Sequence, residues 1–87
     1  MYKLVYSEEA RYQIGKLNPG HKSQLKSAIE RLAGDPLLGK RLTQELSEFW
    51  SYRSGDYRVI YKVFKKEVII LIVTIGHRKD IYKKLSR

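Results

Sequence analysis

Phe49-Trp50-Ser51-Tyr52-Arg53-Ser54-Gly55-Asp56-Tyr57-Arg58-Val59-Ile60-Tyr61 is the stretch from which the fold can be read. Trp50 and Tyr52 point one way along it and Ser51 and Arg53 the other, the two-residue period of a strand. Ser54-Gly55-Asp56 is a turn signal, and beyond it Tyr57, Val59, Tyr61 and Val63 share one face opposite Arg58, Ile60 and Lys62. The stretch therefore reads as a β-hairpin. Its aromatic face, with Trp50, Tyr52, Tyr57 and Tyr61 together, is core to be covered by helices, and the arginines Arg53 and Arg58 flank its turn.

Downstream, Lys65-Lys66 marks a second turn, and Val68 to Ile75 is almost continuously apolar and β-branched, as a central strand covered on both faces would be. Gly76 ends that strand, and residues 78–85 are expected to form a short terminal helix. Upstream, Asp35 to Glu45 contains Pro36 and Gly39 and reads as a connecting loop. Before it, Leu25, Ala28, Ile29, Leu32 and Ala33 form a buried helical stripe, with Gly34 and Pro36 as its stop. Asn18-Pro19-Gly20 breaks this helix from an earlier one, which Ser7 caps, Glu8 and Glu9 open, and Ala10, Ile14 and Leu17 mark on one face. Tyr2, Leu4 and Tyr6 alternate as a first strand. The order β-α-α-β-β-β, a helical hairpin packed on a mainly antiparallel twisted sheet, is an α+β fold.

Eighty-seven residues make one domain, 1–87, since compact cores do not divide at this size. Eighteen Lys and Arg oppose nine Asp and Glu, a formal charge of +9. An excess this large on so small a surface favours a polyanion or an acidic protein as partner. There are no cysteines, so neither disulfides nor thiolate metal sites hold the chain. Met1 leads into Tyr2-Lys3-Leu4-Val5-Tyr6 without the layout of a signal peptide. The longest apolar run is far shorter than the ~20 residues of a membrane-spanning helix. A soluble, cytoplasmic protein with no membrane partner is expected.

The hairpin from Phe49 to Tyr61, the segment Gly76-His77-Arg78-Lys79-Asp80-Ile81-Tyr82 and the lead-in Asp35-Pro36-Leu37-Leu38-Gly39-Lys40-Arg41-Leu42 together resemble the toxins of the RelE/ParE superfamily, in the RelE-like branch. The resemblance covers essentially the whole chain. It implies a RelE-like fold and a toxin from a type II toxin–antitoxin pair, bound by a cognate acidic RelB-like antitoxin in a hetero-oligomer. RelE-like members enter the ribosomal A site and cleave messenger RNA there, whereas ParE-like members share the fold but poison DNA gyrase.

RNA cleavage needs no metal or other cofactor, because the 2′-OH of RNA can attack the adjacent phosphate. An enzyme has to deprotonate that hydroxyl, stabilise the charge that builds on phosphorus and protonate the departing 5′-oxygen. Arginine suits the second task, since its planar fork binds phosphate oxygens in pairs and keeps its charge. By motif position Arg58 and Arg78 resemble the catalytic arginines of the family, with Arg53 as a supporting phosphate contact. Tyr82 resembles the tail tyrosine that stacks on a base and assists proton transfer, and clustered arginines would favour its phenolate. His77 is a further acid–base candidate, since imidazole titrates near ~6.5. Lys79, Lys83 and Lys84 form a basic tail suited to RNA backbone. His21, in the interhelix turn, is expected to do nothing, and no His-Asp-Glu cluster has the spacing of metal ligands.

Some RelE members carry paired lysines on the strand leading into the hairpin, where this chain has Phe49 and Ser51. His77, Lys79 or Tyr82 would then take over the general base. Two other functions stay open, a ParE-like gyrase inhibitor and a degenerate toxin acting only as an antitoxin-binding or regulatory module.

Overall fold

Two polar side chains start the two helices. In the computed structural model, which describes residues 1–77 and Ile81, β1 (Lys3–Tyr6) leads into α1 (Glu8–Gly15), where the Ser7 hydroxyl accepts from the Ala10 amide at 3.0 Å. α2 (Pro19–Gly34) opens in the same way, the Asn18 side chain accepting from the His21 amide at 2.8 Å. Asn18-Pro19-Gly20 is thus a start as well as a break. Proline fits the first helical position because the amide it lacks would have no helical partner there. His21 consequently lies in the first turn of α2 and not in the interhelix turn expected from the sequence. Leu25, Ala28, Ile29, Leu32 and Ala33 are all buried along one face of α2, as their spacing requires.

The second half is sheet: β2 (Lys40–Arg41), a 3₁₀ turn at Gln44–Leu46, β3 (Trp50–Ser54), β4 (Tyr57–Phe64) and β5 (Ile69–His77). The expected loop after α2 therefore contains a two-residue edge strand. The strands lie in the order β1-β5-β4-β3-β2. β1 runs parallel to β5 and the other three pairings are antiparallel, so the sheet is mixed with antiparallel pairs predominating. Val68, expected to begin the last strand, belongs instead to the turn before it. Its φ of 56° is the left-handed conformation that closes the link from β4, in a segment without glycine. The strand also runs one residue past Gly76, to His77. The expected terminal helix lies outside the described residues except for Ile81, which is fully buried.

The helices cover the face formed by Val59, Tyr61, Ile70, Ile72 and Ile75, which pack with Ala10, Leu25, Ile29 and Leu32 into one cluster. Tyr61 is its largest fully buried side chain. The indole of Trp50 stacks on the Tyr61 ring with centroids 6.2 Å apart. The Tyr61 hydroxyl then reaches the segment after α2, donating to the Pro36 carbonyl at 2.8 Å and accepting from the Gly39 amide at 3.1 Å. Gly39 has to be glycine for this contact, because a Cβ there would lie 2.4 Å from the Tyr61 hydroxyl oxygen and 2.7 Å from the Ser51 carbonyl. Burial pushes the Tyr61 phenol up to about 12 from 10.0.

Tyr61→Phe should destabilise the protein by about 1–3 kcal/mol, because it leaves the Pro36 carbonyl and Gly39 amide without their partner. Thermal or urea unfolding measures this. The neutral phenol is the form favoured by folding, so its contribution is complete below pH 10 and is lost as pH rises toward about 12. The stability of the wild type should accordingly fall in that window, and Tyr61→Phe should lack that component of the decline.

A candidate nucleic-acid interface at the hairpin end of the sheet

Residues opposite each other in antiparallel strands project to the same face, so register assigns each side chain of the hairpin. Val59 and Tyr61 face the helices, and Arg58 therefore lies on the outer face. Arg53 of β3 stands directly opposite Arg58 of β4, and Arg58 stands opposite Gly76 of β5. Arg53 is exposed and Arg58 half-buried. The Arg53 guanidinium donates through Nε to the Gly55 carbonyl at 3.0 Å, and Gly55 takes the left-handed turn with φ 60°. Two like charges directly across a strand pair repel, and a row of two guanidiniums suits an anion.

Gly76 completes the row. A Cβ on it would come within 2.8 Å of the Ile81 side chain. The buried Ile81 therefore packs on the outer face beside Arg58. Arg78, Lys79, Tyr82, Lys83 and Lys84 lie outside the described residues.

His77 is exposed at the end of β5 and is paired with Tyr57, on the helix-facing side. The Tyr57 ring meets His77 edge-on with centroids 6.4 Å apart and meets His21 of α2 at 5.7 Å. The structure therefore brings Arg53 and Arg58 together on one face and sets His77 on the other, beside the His21 to which the sequence assigned no role. The Tyr57–His21 contact joins residues far apart in sequence, and no local pattern signals it.

Lys62 shares the outer face with Arg58, as its alternation phase requires. Its ammonium sits 5.1 Å from the centroid of the Phe49 ring and 3.4 Å from the Glu48 carboxylate. Lys40 of β2 is paired with Ser51 and projects to the same outer face. A shallow hollow of about 410 Å³ lies elsewhere, along α2 between Pro19 and Glu30, where Lys22 and Lys26 line it. It touches none of the outer-face residues.

A two-helix layer on a mixed sheet, with Arg53 and Arg58 opposed at the hairpin end, defines a small basic α+β protein. Comparison with known proteins makes the class specific. The family described as "ParE toxin of type II toxin-antitoxin system, parDE" matches residues 4–82. Toxin RelG of Mycobacterium tuberculosis is 33% identical over 88 residues, covering 95% of this chain and 98% of the relative. The mRNA interferase toxin RelE of Escherichia coli is 24% identical over 80 residues, covering 90% and 84%. The crystal structure of the RelBE2 toxin–antitoxin complex from M. tuberculosis superimposes with a TM-score of 0.81 at 30% identity, covering 88% of this chain and 98% of that one. The chain belongs to this family and is a type II toxin of the RelE/ParE superfamily.

Removing the like charge from the arginine row should relieve repulsion. Arg53→Gln is expected to raise stability by about 0.2–1 kcal/mol at low salt. The gain should shrink as salt screens the pair, as thermal unfolding at two ionic strengths will report.

Proposed function

We propose that the chain is an mRNA interferase, an endoribonuclease that cuts messenger RNA in the ribosomal A site and so stops translation. The observation that carries this reading is the Arg53–Arg58 pair, two guanidiniums opposed across a strand pair on the outer face. The relative RelE, named an mRNA interferase, supports it.

The reaction uses the substrate's own 2′-OH as nucleophile. The hydroxyl loses its proton and its oxygen bonds to the adjacent phosphorus. The bond from phosphorus to the 5′-oxygen breaks, and that oxygen takes up a proton. Arg58 and Arg78 hold the phosphate oxygens and stabilise the charge that grows on them. Arg78 follows Gly76, the neighbour of Arg58, by two residues in the sequence. Tyr82 and His77 exchange the protons. His77 lies on the face opposite Arg58, so it serves only a substrate that wraps the end of β5. Arg53, Lys79, Lys83 and Lys84 bind neighbouring phosphates. No step requires a metal ion.

RelBE complexes are among the similar structures, and a chain with a charge of +9 suits an acidic partner. We assign it an acidic antitoxin that covers the arginine row and silences the toxin, with both proteins in the cytoplasm.

One observation favours a second reading. The matching family is described as ParE toxin of parDE, which points to gyrase as the target.

Brief induced expression followed by primer extension on a translated message distinguishes the two. Cuts confined to translated codons are expected, and Arg58→Ala or Arg78→Ala should reduce them by about 10²–10³-fold, the scale of losing one preorganised charge-stabilising donor. Growth arrest with intact messages and DNA-damage signalling would instead establish the gyrase reading. Intact messages with normal growth would mark a module that only binds its antitoxin.

A further inference from the structure

Lys62 lies on the outer face of β4, four residues beyond Arg58, a separation of about 13 Å along a strand. Its side chain retains 30% of its surface and that of Glu48 retains 63%, so the Lys62–Glu48 pair is open to a ligand. Lys40 is exposed on the same face at the β2 edge, one strand from Ser51. Among the described residues, four cations border this part of the sheet: Arg53, Arg58, Lys40 and Lys62. Between them lie Ser51 of β3 and Ile60 of β4, paired and both buried, and Phe49 sits under the Lys62 ammonium. Cations gathered on one face attract a polyanion. An exposed ion pair contributes little to folding, so the pairing with Glu48 is not explained by stability. Its other consequence is to hold the ammonium over Phe49 when no phosphate is present.

We propose that Lys62 and Lys40 bind the backbone of single-stranded RNA beyond the phosphate held by Arg53 and Arg58, and that a phosphate displaces the Glu48 carboxylate from Lys62. Arg58 and Lys62 stand two side-chain rows apart on β4, about 13 Å, on either side of the buried Ile60, a distance that two phosphate intervals of an extended sugar-phosphate chain can span. This assignment rests on the ribonuclease reading and deepens it, placing substrate contacts on strands β2 and β4.

Binding of a short 2′-O-methyl RNA, which cannot be cut, is measured by fluorescence anisotropy across a range of salt. Lys62→Gln and Lys40→Gln should each weaken binding several-fold near about 0.1 M salt and flatten the plot of log K against log salt by about 0.7, the loss of one single-strand phosphate contact. Glu48→Gln should tighten binding, because the competing carboxylate is gone, with an unchanged Tm. Opposite signs for Lys62→Gln and Glu48→Gln separate a phosphate site from a purely structural pair. If both weaken binding, or if neither changes it, this assignment is overturned while the ribonuclease reading stands. A wild-type chain that binds no RNA would likewise overturn this assignment, whereas the ribonuclease reading, which places cleavage on the ribosome, falls only if translated messages stay uncut in the primer-extension experiment.

Discussion

Between Ile72 and Thr74 the central strand carries one residue more than its neighbour: Tyr61 pairs with Ile72 and Ile60 with Thr74, which leaves Val73 unmatched. This bulge shifts the phase of everything after it. Ile70, Ile72 and Ile75 all reach the core, although strict alternation would turn Ile75 outward. Gly76 comes to rest beside Arg58, and His77 goes to the helix side with Tyr57. β1 stops at Tyr6, opposite Ile72, so the free edge of β5 beyond that point has to be satisfied another way. α1 does this. The Ser7 hydroxyl donates to the Val73 carbonyl at 2.6 Å, and the Gln13 side chain accepts from the Ile75 amide at 2.7 Å. Thr74 bonds Glu9 and Gln13 of the same helix. The residues that start and line α1 thereby hold the strand whose end frames the site.

The core and the arginine pair occupy different parts of one sheet. The middle, around Val59, Tyr61 and Ile72, is dry and interlocked, and Tyr61 extends it to the loop after α2 through two hydrogen bonds. The hairpin end is the reverse, with opposed arginines and exposed residues at the turn. Such a local conflict is tolerated because the rest of the sheet holds the hairpin in register. Gly39 and Gly76 mark where the two demands meet. In each case a missing side chain admits a neighbour, the Tyr61 hydroxyl in one and Ile81 in the other.

The superfamily places different toxic activities on one fold, so the fold alone cannot choose among them. The choice lies in side chains on the outer face. There Arg53 and Arg58 stand opposed, and Phe49 and Ser51 occupy the positions at which some RelE-like toxins carry lysines. Lys62 projects across from the adjacent strand to lie over Phe49. A cation is therefore present near a position where the linear sequence has none.

Much of this was legible in the sequence because it depends on local periodicity. The alternation around Gly55 gave the hairpin and put Arg53 and Arg58 at its turn, the helical stripe from Leu25 to Ala33 gave the buried face of α2, and Ser7 gave the first cap. Other features depend on pairing between distant segments. A run as evenly apolar as Val68 to Ile75 has no polar residue to reveal a change of phase, so neither the bulge nor the side taken by His77 could be read from it. The parallel pairing of β1 with β5, the contact of His21 with Tyr57 and the position of Lys62 over Phe49 have the same origin. By itself the sequence determined the elements, the faces within the hairpin and the excess of positive charge. The tertiary structure decided which of those charges share a surface, because register between strands is a long-range choice made by packing and by the hydrogen bonds that satisfy each edge.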